Sequence, residues 1–120
     1  DEVSMSITLY HNPRCSKSRQ SLQLLQERGI EPRQVLYLEN PPTVAELREL
    51  LEKLGMTARE LLRKGEEAYK TLGLADASLS EADLLRAMAE NPKLIERPIA
   101  VKGRKAVLGR PPENVLDLIA

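Results

Sequence analysis

The stretch ITLYHNPRCSKSRQSLQLLQERGIEPRQVLYLE, residues 7–39, decides the fold because it contains two strand-like segments with a helix-like segment between them. Apolar and polar residues alternate at its start, which predicts a short strand. Pro13 ends that strand because it lacks an amide donor, and a helix is predicted from about residue 16 to residue 28. A second strand is predicted over residues 33–39. Segments of these lengths predict a βαβ unit with a right-handed crossover.

The segment over residues 41–95 is predicted to be helical because helix-start signals precede periodic runs of leucine. The start signals are Thr43 with Glu46, Thr57 with Glu60, and Ser80. A further short helix is predicted at about residues 66–72, and Pro92 is predicted to stop the helix that begins at Ser80.

The C-terminal stretch predicts a hairpin and a last helix. PIAV and KAVLG, residues 98–101 and 105–109, have strand composition and are separated by KGR, which favours a turn. A helix that begins at Pro112 is predicted for the end of the chain.

The order of these elements predicts an α/β fold in one domain, residues 5–120. The core, about residues 5–40 and 96–120, looks like a thioredoxin- or glutaredoxin-type sheet built from a βαβ part and a ββα part. A helical insertion over about residues 41–95 separates the two parts.

Composition argues against several classes of function. Of 120 residues, 18 are Lys or Arg and 18 are Asp or Glu, so broad electrostatic binding to nucleic acid or to an anionic membrane is not expected. The chain has no Phe and no Trp, and it has three Tyr, so platforms for base stacking are not expected either. A small neutral surface of this kind favours a monomer.

A single cysteine excludes an internal disulfide and a cysteine-rich zinc site. No apolar run approaches the ~20 residues of a membrane helix, and no signal peptide is visible. We therefore expect a reducing, cytoplasmic setting. Met5 is a candidate native start, and residues 1–4 are then an upstream remnant or extension.

The cysteine, Cys15, lies at the predicted junction from the first strand to the first helix. The first amides of a helix have no internal acceptors, and together with the helix dipole they favour a negative charge at this position. The pKa of Cys15 is therefore predicted to fall below the free value of about 8.5, which makes a nucleophile at neutral pH. The cations expected to act in the same direction are Arg14, Lys17, Arg19 and a protonated His11.

Other interpretations of these residues are open. A lone Cys is often a small buried hydrophobe, His11 is as often a structural hydrogen-bonding group as a catalytic one, and Lys17 suits a solvated surface charge. A C-x-x-C dithiol is excluded because Ser18 takes the fourth position. A phosphatase-type loop is excluded because Ser21 stands six residues after the cysteine, where such a loop has Arg. One His and one Cys are too few ligands for a metal.

From about residue 7 to its end, the chain resembles the glutaredoxin-linked arsenate reductase family. YHNPRCSKSR, residues 10–19, is similar to that family's active-site motif, Asn-Pro-x-Cys-x-x-Ser-Arg. YLENPP, LLRK, RPIAV and GRPPE match later blocks of the family in the expected order. The resemblance implies a thioredoxin-like fold with a helical insertion.

The resemblance also implies a mechanism. The Cys15 thiolate attacks arsenate, glutathione attacks the resulting thiol–arsenate adduct, arsenite leaves, and glutaredoxin clears the mixed disulfide. It implies glutathione as co-substrate, no tightly bound cofactor and no metal. It implies that His11 lowers the pKa of the thiol and that Ser18 helps to stabilise the thiolate.

The oxyanion-binding arginines of the family fall on Arg63, Arg97 and Arg110. Guanidinium groups suit a dianion because they supply both charge and several donors. Arg59 competes with Arg63 for one of these roles, and only the motif match selects Arg63. The resemblance places structural residues of the site at Asn12 and at Pro98, which matches a proline that is cis in the family.

Two other functions are open. One is a thiol reductase or deglutathionylase that acts on a different adduct. The other is a non-enzymatic redox regulator of similar fold, of the kind that binds RNA polymerase. Such regulators commonly use a C-x-x-C switch, which Ser18 removes here.

Overall fold

The computed structural model describes residues 6–119, so the expectations for Met5 and residues 1–4 lie outside the described residues. The chain divides into two compact units at residues 40/41 and 96/97. We call residues 6–40 with 97–119 the sheet unit, and residues 41–96 the helical unit. The division into core and insertion within one domain stays a prediction.

The sheet unit contains a four-stranded mixed sheet. Its strands are β1 (Ile7–Tyr10), β2 (Arg33–Val35), β3 (Ile99–Lys102) and β4 (Lys105–Leu108), in the order β2-β1-β3-β4. β1 is parallel to β2 and antiparallel to β3, and β3 and β4 form the predicted antiparallel hairpin. Gly103 in its turn has a φ of 61°, a conformation that glycine adopts without steric cost. The predicted mixed α/β fold is confirmed.

The second strand is shorter than predicted. It ends at Val35, whereas the sequence predicted a strand over residues 33–39. The Leu36 carbonyl accepts hydrogen bonds from the amides of Glu39 and Asn40, at 3.0 and 2.9 Å, so the chain turns at once after Val35. A longer strand would pair these backbone groups with the neighbouring strand. Here they are satisfied by hydrogen bonds within the turn, so the strand does not continue.

Helix α1 (Ser16–Glu27) follows β1, close to the predicted bounds. One cluster of apolar side chains joins it to the sheet and to the end of the chain: Ile7, Leu9, Leu25, Ala100, Val115 and Leu118. Burial of each of the larger side chains in this cluster stabilises the fold by roughly 1.5–3 kcal/mol. The cluster fixes α1 on one face of the sheet, and thereby fixes the residue that precedes α1.

The last helix begins at Pro112 as predicted, but it is a 3₁₀ helix over Pro112–Leu118. Its buried residues are Pro112, Val115 and Leu118, spaced by three. A 3₁₀ helix has three residues per turn, so this winding places all three side chains on the core face.

The helical unit contains α2 (Val44–Leu54), α3 (Ala58–Leu61), α4 (Glu67–Thr71) and α5 (Glu81–Glu90), and a 3₁₀ turn over Pro92–Leu94. Capping boxes are present at Thr43, Thr57 and Ser80, the last with Asp83, so the predicted helix starts are confirmed. Each cap satisfies amides that have no partner inside the helix, a contribution of about 1 kcal/mol. Within residues 6–119, no helix has both the length and the apolar character needed to cross a membrane.

Candidate active site

The candidate site begins where β1 ends. The amide of His11 donates to the Val35 carbonyl at 2.9 Å, which extends the pairing of β1 with β2 and buries His11. The amide of Cys15 donates to the Asn12 carbonyl at 3.0 Å, and the Asn12 Oδ1 accepts from the amide of Arg14 at 3.0 Å. These bonds close a turn over residues 12–15, so Cys15 becomes the residue immediately before α1.

Ser18, in the first turn of α1, joins the helix to this loop. Its hydroxyl accepts from the amide of Asn12 at 3.0 Å and lies 2.6 Å from the His11 Nδ1. Ser18 is 0% exposed and His11 is 3% exposed, so water does not compete for these bonds. The contacts hold Asn12 and the helix start in one arrangement, and the catalytic roles expected for these residues stay predictions.

The thiol of Cys15 is half-buried and surrounded by donors. Burial raises the pKa of Cys15, but hydrogen bonds from the amides of Ser18 and Lys17, together with the charge and a hydrogen bond of the Arg97 guanidinium, outweigh it. The net effect is a pKa below the ordinary value. The thiol therefore lies where helix amides and one guanidinium both stabilise a thiolate.

The helix amides act as the sequence predicted, but the cation that acts on the thiol is not one of those predicted. Lys17 contributes its amide, and the cation that contacts the thiol is Arg97, which begins the second stretch of the sheet unit along the chain. The Arg19 guanidinium donates to the Pro13 carbonyl at 3.2 Å, where it supports the loop. Neighbours in sequence therefore act mainly through the backbone, and the charge comes from a distant residue.

The surroundings of His11 disfavour the charged imidazole, which argues against the protonated form that the sequence predicted. Burial lowers the pKa of His11, and the nearby charge of Arg19 lowers it further. A neutral imidazole has one donor and one acceptor nitrogen, so its bond with Ser18 fixes the position of both side chains.

Arg97 and Arg110 lie close together in the sheet unit. The Arg110 Nη1 donates to the carbonyl of Arg97 at 3.4 Å. The peptide bond from Arg97 to Pro98 is cis, as the resemblance implied, and the bond from Arg110 to Pro111 is cis as well. Arg110 thus contacts the backbone of the residue whose guanidinium reaches Cys15, a link that no local sequence pattern indicates.

Arg63 belongs to the helical unit. Its guanidinium lies 3.6 Å from the Glu66 carboxylate and 3.6 Å from the Glu96 carboxylate. Its amide donates to the Leu94 carbonyl at 2.8 Å, which fixes the backbone at this position. The oxyanion-binding role of Arg63 stays a prediction.

Arg59, the competitor for that role, is engaged elsewhere in the helical unit. Its guanidinium donates to the carbonyls of Leu74 and Asp76, at 2.9 and 3.0 Å. Through these bonds Arg59 holds the backbone at Leu74 and Asp76, a role that the sequence did not reveal. No group of three or more His, Cys, Asp or Glu side chains within residues 6–119 is arranged to hold a metal ion.

We expect alkylation of Cys15 to report a thiolate that forms below the ordinary thiol pKa of about 8.5. The rate of reaction with iodoacetamide, measured against pH, should reach half of its maximum below that value, because helix amides and Arg97 stabilise the charged form. The same titration in denaturant is the control, and it should return to the ordinary value. A folded midpoint equal to the denatured one would show that the site does not activate the thiol.

Comparisons with known proteins find relatives over nearly the whole of this chain. Residues 10–118 match the family model described as ArsC family. Uncharacterized protein YfgD of Escherichia coli K12 is 58% identical over 98% of this chain and 99% of its own length. Arsenate reductase of Haemophilus influenzae is 47% identical over 96% of this chain and 100% of its own length. The solved structure of arsenate reductase from Vibrio cholerae is 52% identical, has a TM-score of 0.93, and covers 95% of this chain and 98% of its own. The predicted thioredoxin-like fold and the family resemblance are confirmed.

Proposed function

This chain belongs to the ArsC family, and we propose that it reduces arsenate to arsenite with glutathione and glutaredoxin, through a covalent adduct on Cys15. The observation that carries the proposal is the Cys15 thiol between the amides of Ser18 and Lys17 and the guanidinium of Arg97. Donors that stabilise a thiolate also suit an oxyanion, because both are negative and accept several hydrogen bonds.

In the first step the thiolate sulfur of Cys15 attacks arsenic, a sulfur–arsenic bond forms, and one arsenate oxygen leaves as water after taking up protons. Arg97 is suited to hold the oxyanion during this step, since its charge already lies at the sulfur. The charge that develops on the arsenate oxygens then meets a preorganised donor, which lowers the barrier.

In the second step the thiolate of glutathione attacks the Cys15 sulfur, and the sulfur–arsenic bond breaks. The electron pair of that bond stays on arsenic, which leaves as arsenite. Arsenic gains two electrons, and the two sulfurs lose two as they form a mixed disulfide. A thiol of glutaredoxin then attacks the glutathione sulfur and releases the Cys15 thiolate for another turnover.

We assign Arg110 and Arg63 to the binding of the arsenate oxygens, on their match to the family. Support for Arg110 comes from its contact with the Arg97 carbonyl. At Arg63, the carboxylates of Glu66 and Glu96 at 3.6 Å are the groups that a bound dianion would replace or compete with. Dependence on glutathione points to a reducing compartment, which fits a cytoplasmic enzyme. The balance of 18 basic and 18 acidic residues, with its small neutral surface, favours a monomer.

The direct test is a coupled assay with arsenate, glutathione, glutaredoxin, glutathione reductase and NADPH. We expect NADPH oxidation that depends on both arsenate and the chain. Phosphate in place of arsenate is the control, since it has a similar shape and charge but is not reduced by thiols. Arsenate-dependent oxidation no faster than the background without the chain would contradict the proposal.

We also predict that the oxidised enzyme accumulates as a glutathione mixed disulfide when glutathione is the only added thiol. The reason is that Cys15 is the one cysteine in the sequence, so no second thiol of the chain can resolve the disulfide. Intact mass spectrometry should show one added glutathione per chain, and glutaredoxin should remove it. Efficient turnover with thioredoxin alone would rule out this monothiol scheme.

A further inference from the structure

Gly109, the residue after β4, lies in a position where an added side chain would press against three neighbouring residues. A Cβ built on it would lie 2.6 Å from the Ser21 Oγ, 2.7 Å from the Pro98 Cγ and 3.2 Å from the Val115 Cγ1. Contacts below 3.0 Å between such atoms force a neighbour to move. Three separate parts of the sheet unit therefore pack closely around the Gly109 Cα. They are helix α1, the segment before β3, and the last 3₁₀ helix.

The backbone of Gly109 is joined to the same place. Its amide donates to the Pro98 carbonyl at 2.8 Å, one step beyond the register in which Ile99 pairs with Leu108. Pro98 is buried and follows Arg97, whose guanidinium contacts Cys15. Gly109 lies between Ser21 of α1 and Pro98, so the absence of a side chain at Gly109 sets the distance from Pro98 to α1, the helix that Cys15 precedes.

We propose that Gly109 is a positioning residue that keeps Pro98, and through it Arg97, in place beside the start of helix α1 and the thiol of Cys15. The importance of this placement for turnover rests on the proposed function. The placement itself concerns the resting thiol and does not depend on the substrate.

The neighbours of Gly109 differ in their ability to yield to a methyl group. The Ser21 hydroxyl can rotate away about one bond, at the loss of its 3.4 Å hydrogen bond to the Pro112 carbonyl. The Pro98 Cγ can move only a short way, by a change of ring pucker, because the ring is closed onto the backbone. A methyl at position 109 therefore displaces Pro98 together with Arg97, and the Cys15 thiolate loses part of its stabilisation.

The test is the Gly109→Ala variant, with the alkylation of Cys15 by iodoacetamide measured against pH. We expect the midpoint to rise by about one pH unit, which is a tenfold loss of thiolate at lower pH. Gly65→Ala is the matched control, because a Cβ at Gly65 meets nothing within 4 Å. Its midpoint should equal that of the wild type. An unchanged midpoint in a folded Gly109→Ala variant would overturn the proposal.

The double variant Gly109→Ala with Ser21→Ala separates positioning from simple destabilisation. Loss of the Ser21 oxygen removes one of the two shortest contacts and leaves the one to Pro98. We expect the melting temperature to recover in part while the alkylation midpoint stays high. A midpoint restored to the wild-type value would show that Gly109 acts through Ser21 and would overturn the proposal. Failure of both variants to fold would also count against it, because Gly109 would then be required for the stability of the whole unit.

These outcomes are distinct from those of the arsenate assay. A wild-type chain that does not reduce arsenate would remove the proposed function, while the alkylation midpoints would still decide the role of Gly109. Conversely, normal arsenate reduction with an unchanged midpoint in Gly109→Ala would remove only the positioning role.

Discussion

Replacement of Cys15 by Ser should abolish arsenate reduction, with a loss of more than about 1000-fold in kcat. The chain has one cysteine, so no other sulfur can attack arsenic or form the mixed disulfide. A serine hydroxyl in the same place is a far weaker nucleophile and cannot pass through a disulfide. The measurement is the coupled NADPH assay with the variant at wild-type concentration.

The fold should persist in Cys15→Ser, because Cys15 is half-buried and the turn at residues 12–15 is held by backbone groups. Circular dichroism and the melting temperature check this point. Wild-type protein alkylated at Cys15 should be equally inactive, which controls for effects of the serine itself. Turnover near the wild-type rate in either sample would exclude covalent catalysis by this residue.

Removal of the guanidinium in Arg97→Ala has the second-largest expected effect. A hydrogen bond to a charged group contributes roughly 1.5–3 kcal/mol, so kcat/KM should fall about ten- to a hundred-fold. The midpoint for alkylation of Cys15 should also rise, because Arg97 contributes both charge and a hydrogen bond to the thiolate. Arg97→Lys should remain clearly impaired, since it keeps the charge but loses the planar fork of donors.

Arg104→Ala is the matched control for Arg97→Ala. Arg104 is exposed in the turn between β3 and β4 of the same unit, so its loss should leave both kcat/KM and the midpoint unchanged. Arg59 is unsuitable as a silent control, because its guanidinium holds the carbonyls of Leu74 and Asp76. Equal losses in Arg97→Ala and Arg104→Ala would indicate a general effect of charge and no specific contact with the oxyanion.

The sequence by itself determined the parts of this protein that depend on neighbours along the chain. Thr43 and Thr57 start helices because each bonds a glutamate three residues later, within a single turn. Gly103 permits the β3–β4 turn through its own φ. The position of Cys15 before α1 follows from Pro13 and the periodic pattern after it. These features need only local bonds, so local residues predict them.

Arg97 and Arg110 were selected by their match to a family, and their spacing alone would not have selected them. The bounds of β2 and the winding of the last helix were not predictable either. β2 ends early because the Leu36 carbonyl finds local donors, and the segment from Pro112 winds as a 3₁₀ helix because its three core residues must face one way. Both outcomes depend on the hydrogen-bond partners and the core surface that the folded unit presents to these segments.

Only the tertiary structure decided which cation acts on the thiol and how far the groups around it are buried. The sequence placed Arg14, Lys17 and Arg19 near Cys15, yet the cation that contacts the sulfur is Arg97, which is far from Cys15 along the chain. The pKa of His11 is lowered mainly because the packed sheet buries it, and the sequence around His11 does not indicate that burial. Burial and contacts between distant residues arise when the chain packs, and they set the charge at the site because desolvation and Coulomb energies depend on distance in space.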